Sequence, residues 1–526
     1  LKQALTYGFS DDEITMVKNE LVSELNMAAE TEDTKTSSSQ ATQIINSINQ
    51  NRVIQSASQE VSLYVPVIER VAADDLLTRL RLVWEGDDRL IEVVGNANII
   101  GDDQAQLIKN YYRGLQQEEI VAQKEKRTPV FPYIPDPEPV KPEQFEALPL
   151  PDATRHRYAN GTVLNFKKTS FKKNSVSVAI HFGEGERTMP LSGLSLLAAA
   201  VVNGSGTGTL KESELSRVLA GKALEYRFVV GEDSFYLRGF SLASDIESLF
   251  QVLHALIVDP GMRAEEYAAA MQRFELMYQQ LDGDIDGGAL LYLEPFFGGN
   301  SLTHGVPGED EFRTLTLADV KRWLMPVFSG EPLEINVVGD VSESEIVLMT
   351  SKYFGSLPPR TRTDSIVENR PVFPAGQRFE KNMKLRENKG LARVAWLTDD
   401  FWDIKKTRRL HLLAAIIDER LRKRIREQSG ASYSPSASSS NSRIYPGYGS
   451  IEAEVVTDSE TLNSVLEQIE EVIQSLRNNP ISKDELKRSK KPAITSIKDT
   501  VKTNRYWLMN VLSLSTRYPQ QLAWAR

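Results

Sequence analysis

The chain has 526 residues, 41% of them hydrophobic and 25% charged, with a formal net charge of -10. Such a composition reads as soluble globular, with length for roughly two to four domains, and the acidic balance argues against a general nucleic-acid binder, which relies on a basic surplus. No uninterrupted apolar run reaches the ~18 residues of a membrane helix, and the absence of cysteine excludes thiol catalysis, disulfides and cysteine-ligated zinc.

Residues 1–20 lack the apolar core of a signal peptide. They read as the interior of a domain, so a natural N-terminus is expected upstream. Phe9-Ser10-Asp11-Asp12-Glu13-Ile14 has the pattern of a capping box, Ser at the N-cap and Glu three residues later within an apolar staple. It predicts a helix of about five turns. The pattern returns at Ile481-Ser482-Lys483-Asp484-Glu485-Leu486. Ile91-Glu92-Val93-Val94-Gly95 predicts a short buried strand ending at glycine and is echoed by Ile335-Asn336-Val337-Val338-Gly339. Together the two echoes suggest one α/β unit used more than once. Residues 128–152 hold eight of the 24 prolines and predict an extended linker between two large bodies.

After the linker, residues 162–166 predict a strand. Residues 175–182 alternate, with Val176, Val178 and Ile180 on one face. Residues 193–203 predict an apolar helix. Residues 224–230 and 234–240 read as a hairpin about Gly231. Helices are expected over 245–258, 264–281 and 317–328, and a strand over 333–338. From about residue 366 the theme repeats: a strand over 392–397, a helix over 404–427, a strand over 449–456, and helices over 459–477 and 482–498.

Candidate chemistry is sparse. The turn from Gly204 to Lys211 follows a helix and carries no Gly-Lys-Ser/Thr, so it reads as a helix stop rather than a phosphate cradle. His156, His181, His254, His304 and His411 show no metal-ligand spacing, and H-x-x-E-H, H-E-x-x-H and C-x-x-C are absent; the expected roles are structural or solvated. Residues 282–287 copy the first half of a calcium loop, but position 12 is Leu293 where a bidentate Glu is required, so a polar turn is expected. The nine Lys/Arg between Lys405 and Arg426 read as a solvated face, with a site for an acidic partner or peptide terminus as the other reading.

The order of motifs nevertheless resembles the pitrilysin/insulinase family of zinc metallopeptidases, the inverted zincins, and mainly their non-catalytic second half. Tyr158-Ala159-Asn160-Gly161-Thr162-Val163 is similar to the family's opening strand, and Gly183-Glu184-Gly185-Glu186-Arg187 to its Gly- and Glu-containing turn. Gly193-Leu194-Ser195 followed by Gly206-Thr207 is similar to the frame of the zinc helix, with Leu196, Ala199 and Ala200 where the two His and the Glu would stand. Leu421-Arg422-x-x-Ile425-Arg426-Glu427-x-x-Gly430-x-x-Tyr433 resembles a segment of the fourth domain whose Arg and Tyr contact substrate peptide. Residues 1–125 resemble the end of the second domain.

The resemblance implies an α+β fold of repeated two-layer α/β domains of the LuxS/MPP-like metallohydrolase type, with antiparallel-rich mixed sheets packed by helices. The implied domains are 1–125, the end of the second domain; 126–152, the linker; 153–365, a third domain lacking the metal motif; and 366–526, a fourth domain without its last strand and helix. It implies no catalytic residue and no metal site in this chain, substrate contacts from Arg426 and Tyr433, and zinc in a first domain that is absent here. The implied partners are a peptide or unfolded-protein substrate and a zinc-bearing half, in cis or as a separate chain, with no nucleic acid. The expected function is that of the inactive half of a zinc metalloendopeptidase, closing over peptide. The alternative is a metal-free scaffold or partner subunit of a separate active chain. An H-x-x-E-H upstream of Leu1 would distinguish them. The bacterial periplasm, or the periplasmic side of a membrane, is the expected location, with the cytoplasm left open; the lack of cysteine fits an oxidising compartment no better than it fits chance.

Overall fold

The computed structural model of the chain describes all residues except 85–88, 95–98, 102, 123–128, 282, 364–365, 367–369, 386, 428–433 and 526. Two compact units emerge. The first comprises Leu1–Tyr133 and Ser213–Ala223, the second Ile134–Glu212 and Leu224–Arg526.

The first unit is helical among its described residues. Ser10 and Glu13 form the reciprocal capping box expected at the start of the helix Asp11–Glu30. Ser56 and Gln59 form another at the helix Ala57–Arg70. The Glu32 carboxylate accepts from the Ala57 amide at 2.8 Å, which satisfies a helix N-terminal donor and holds its pKa below the usual carboxylate range. The strand expected over 91–95 does not form: residues 91–94 have no strand pairing among the described residues, Val94 is 84% exposed, and Gly95 lies outside them. A short apolar run needs a partner strand to bury it, and here none is at hand.

The second unit holds two sheets. Strands β1 (Gln144–Leu148), β2 (Ala153–Arg157), β3 (Val163–Lys168), β4 (Ser175–Phe182), β5 (Leu224–Val230), β6 (Phe235–Leu242) and β7 (Glu334–Gly339) form a seven-stranded sheet in the order β1-β2-β3-β7-β4-β6-β5. Only β3 and β7 pair in parallel; the other pairings are antiparallel. Strand β1 lies within the segment read as linker, where Phe145, Ala147 and their neighbours pair with β2 in the proline-free stretch between Pro142 and Pro149. Strands β8 (Lys389–Thr398), β9 (Ser434–Asn441) and β10 (Gly449–Asp458) form a three-stranded antiparallel sheet in the order β8-β10-β9.

Period-two alternation decides the faces. Val176, Val178, Ile180 and Phe182 of β4 are at most 2% exposed, and helices Leu194–Ser205, Ile246–Val258, Leu317–Gly330 and Glu343–Tyr353 cover that side. On the opposite side Ala179 and Val338 pack against Leu508 and Leu512 of the C-terminal segment. In the second sheet Ile451, Ala453 and Val455 alternate inward onto Ile417, Leu421, Val465 and Ile469. This is an α+β architecture of helices on antiparallel-rich mixed sheets. Among the described residues no helix is long and apolar enough to cross a membrane.

Candidate functional site

The helix Leu194–Ser205 carries the positions that frame a zinc site in the resembling family. Residues i, i+3 and i+4 share a helix face, so Leu196, Ala199 and Ala200 stand together. Leu196 is 38% exposed, and Ala199 and Ala200 are half-buried. None offers a lone pair to a borderline cation. One turn on, Asn203 donates to the Phe228 carbonyl at 2.8 Å and accepts from its amide at 2.9 Å, which ties this face to edge strand β5. The glycine turn that follows is a closed helix stop. Gly206 adopts φ 67°, and the Arg263 guanidinium donates to the carbonyls of Ser205, Thr207 and Gly208 at 2.7–3.0 Å. The Asp259 carboxylate accepts from the Thr209 amide at 2.9 Å. The turn's polar groups are thus spent internally.

The half-calcium loop is also spent. Asp284 caps a short helix, Ile285–Gly288, by accepting from the Gly287 amide at 2.6 Å. Glu294 accepts from Arg393 at 2.6 Å, and Asp282 lies outside the described residues. Among the described residues no group of three His, Asp or Glu side chains is placed to hold a metal ion.

The substrate-contact pair expected from the resemblance divides. Arg426 falls in a π-helical stretch, Arg422–Glu427, that continues the helix Ile404–Leu421; its side chain and the whole of Tyr433 lie outside the described residues. Several other cations of that helix are paired with acids rather than simply solvated. Arg420 binds Glu485 at 2.7 and 2.9 Å, Arg422 pairs with Asp418 at 3.0 Å, and Arg424 pairs with Glu471. The first of these takes the Glu485 carboxylate, so Ser482 caps the Lys483–Thr500 helix without the reciprocal half of the expected box.

A polar cluster lies where β4 and the β5–β6 hairpin end, of which the sequence pointed to the glycine turn, the hairpin and His181 but not to their association. Gly183 and Gly185 adopt φ 61° and 59°, the left-handed region that glycine enters without strain, and this turns Glu184 inward. Glu184 is 2% exposed. It accepts from Arg187 at 2.9 Å and from Arg362, with Arg517 at 3.3 Å. Arg517 also donates to the Gly183 carbonyl at 2.7 Å. Burial pushes the carboxyls of Asp233, Glu232 and Glu186 up, and it pushes the Arg443 guanidinium down while Asp233 draws it back. Beside them His181 shares a hydrogen bond of 3.0 Å between Nδ1 and Ser234 Oγ and stacks on Tyr236. Burial lowers its pKa to about 3, so the ring is neutral.

Glu334 is the register partner of His181. It accepts from the Thr516 amide at 3.2 Å and from Asn165 at 3.2 Å. Burial raises its carboxyl to about 7, against opposing hydrogen bonds and the charges of Arg155 and Arg517. Arg155 completes the layer by donating to Asn165 Oδ1 at 2.7 Å and Ser515 Oγ at 2.8 Å. The arrangement fastens residues 513–517 to the polar side of the sheet. It is an inward-facing network in which His181 Nε2, Asp233 Oδ2 and Ser513 Oγ have no hydrogen-bond partner among the described residues, and the Ser234 hydroxyl beside the His181 ring is buried with it.

Comparison with known proteins bears on the family and the fold. Residues 314–492 match the peptidase M16 inactive domain. The chloroplastic stromal processing peptidase of Arabidopsis thaliana is 21% identical over 486 residues, covering 80% of this chain and 37% of its own length. That of Pisum sativum is 22% identical over 431 residues, covering 70% and 34%. The chain thus spans about a third of the length of these relatives. Among solved structures, the ferredoxin protease FusC, in complex with Arabidopsis ferredoxin, superposes with TM-score 0.65 at 14% identity over 100% of this chain and 58% of its own. The periplasmic protease PqqL from Escherichia coli gives 0.60 at 18% identity over 99% and 58%. The peptidase M16 inactive domain from Pseudomonas fluorescens gives 0.56 at 16% identity over 71% and 92%. Motif order, fold and matched segment converge: the chain resembles the M16 peptidases, the pitrilysin/insulinase group of metallopeptidases, and the segment 314–492 matches their inactive domain.

Proposed function

We propose that this chain is the metal-free, substrate-holding half of a zinc metalloendopeptidase that hydrolyses peptides. The observation behind this reading is the partly exposed face of Leu196, Ala199 and Ala200, set in the frame of a metal helix yet unable to ligate. Zinc and the attack of a metal-activated water on a peptide carbonyl would belong to a separate domain, in the same polypeptide or in a partner chain. This half would supply Arg426 and Tyr433 to the bound peptide: a planar cation for a carbonyl or carboxylate, and a ring with a hydroxyl. A periplasmic location belongs to the same reading and draws on the similarity to PqqL.

The test joins this chain to its zinc-bearing half and measures peptide cleavage. A hydrogen bond to a charged group is worth about 1.5–3 kcal/mol, so Arg426→Ala and Tyr433→Phe should each lower kcat/KM by about 10- to 100-fold, with Tm nearly unchanged. Cleavage unaffected by either change would refute the assignment and favour a scaffold.

A further inference from the structure

On the side of the seven-stranded sheet away from the helices, the C-terminal segment covers β7 and the adjoining part of β4. The β5–β6 end carries a different set of side chains. Arg227 of β5 and Arg238 of β6 are register partners, so both project from the same face, and both are exposed. Neither has an ion-pair partner among the described residues. Like charges directly opposite one another destabilise an antiparallel pair. A third guanidinium, the exposed Arg505 of the short helix Asn504–Tyr506, acts with these two on the hydroxyl of Tyr236, which lies on the same face. Lys172 Nζ sits 4.4 Å over the ring of Phe240, the next residue of β6 on that face. Two acids stand beside this group: Glu225, whose charge acts on Lys172, and Asp233 at the hairpin turn, whose charge acts on Tyr236. A cationic platform floored by aromatic rings therefore stands on a chain whose net charge is -10.

We infer that this platform binds carboxylate-rich stretches of peptide substrate. Guanidinium forks match carboxylates in two-point geometry, and an acidic segment would relieve the repulsion between Arg227 and Arg238. Binding falls on the face and not along the edge of β5, because Asn203 already takes the amide and carbonyl of Phe228 at the middle of that edge. The inference rests on the reading of this half as a peptide holder and names the class of peptide held.

Fluorescence anisotropy of the chain with two labelled peptides of equal length, one alternating Glu and Gly and the other Gln and Gly, tests it. The Glu peptide should bind, and rising salt should weaken it as exposed charges are screened. Arg227→Gln with Arg238→Gln should weaken it by about 10-fold or more, and Arg505→Gln, which lies outside the sheet, should weaken it less. Melting curves check that the variants fold. Equal binding of the two peptides would overturn the acidic preference and leave the peptide-holding reading in place. Glu-peptide binding indifferent to all three substitutions would overturn the assigned surface. Failure of both peptides to bind would overturn both readings.

Discussion

The two sheets of the second unit run through the same sequence of elements. After β4 come a helix (Leu194–Ser205), the strands β5 and β6, and two helices (Ile246–Val258, Ala264–Leu281); after β8 come a helix (Ile404–Leu421), the strands β9 and β10, and two helices (Leu462–Asn478, Lys483–Thr500). The local sheet orders β4-β6-β5 and β8-β10-β9 correspond, and all these pairings are antiparallel. Each first helix also pins the strand beside it through a side chain, Asn203 onto Phe228 and Asp418 onto the Ala437 amide. The far faces differ. In the second sheet Arg393 stands opposite Glu454 and bonds it at 3.1 Å, with Glu294 at 2.6 Å. In the first, Arg227 stands opposite Arg238. Shared elements thus fix the framework, and the charges on the side away from the helices distinguish a closed surface from one left open to a ligand.

Six substitutions, in four sets, bear on that comparison. The largest effect is expected in the cores. Leu237, a strand residue of the first sheet, and Ile469, on a helix under the second, are fully buried, and Leu237→Ala or Ile469→Ala should each cost about 2–5 kcal/mol in denaturant unfolding. A much smaller loss at Ile469 would mean that the three-stranded sheet lacks a core comparable to the first.

Next comes Glu334, which has no counterpart in the second sheet. Its folded pKa of about 7 lies above the ordinary 4.5. The folded state therefore holds the proton more tightly, and this contribution is complete below pH 4.5 and lost as pH rises through 7. By the usual conversion the loss is about 3 kcal/mol. His181 works in the opposite sense: its pKa falls from 6.5 to about 3, so its contribution is complete above pH 6.5 and lost as pH falls. The two slopes offset one another between pH 4.5 and 6.5. Glu334→Gln should remove one of them, leaving Tm rising more steeply with pH in that window and higher, relative to the parent, above pH 7. Parallel pH profiles would contradict the assigned ionisation.

The edge pins come third. Asn203→Ala strips two hydrogen bonds from the Phe228 backbone and should cost about 1–3 kcal/mol; Asp418→Ala, which removes one bond of 3.2 Å, should cost less. Hydrogen exchange at Phe228 and Ala437 would show whether the pins act locally. The smallest effect sharpens the contrast directly. Arg238→Glu places an acid opposite Arg227, as Glu454 stands opposite Arg393, and should stabilise the fold by about 0.2–1 kcal/mol while abolishing binding of the acidic peptide. A lower Tm would show that the arginine pair is held by contacts other than its charge.

Much of the framework was legible in the residues. The alternation of 175–182 is the observed strand β4 residue for residue, and the helix at Ala264–Leu281 has the expected bounds. Strand β9 was not legible, because Ser434–Asn441 reads SPSASSSN and shows no apolar alternation; it is a strand because β10 pairs with it. The run at 91–94 shows the converse, with the right pattern and no pairing. The helix that carries Leu196, Ala199 and Ala200 was legible because helical spacing is local. The network of Glu184, Glu334 and Arg517 was not, because its members come from distant parts of the chain: Glu334 and Thr516 are 182 residues apart.

The sequence by itself determined the local periods, most helix caps and the apolar character of Leu196, Ala199 and Ala200, since each depends on side chains within a turn or two of one another. Tertiary structure decided which apolar runs found partners and which carboxyls burial pushed up. It also decided which arginines were answered by an acid, Arg393 on one sheet and not Arg227 and Arg238 on the other. Pairing, burial and Coulomb energy depend on distances in space, and those distances are set only when the elements pack.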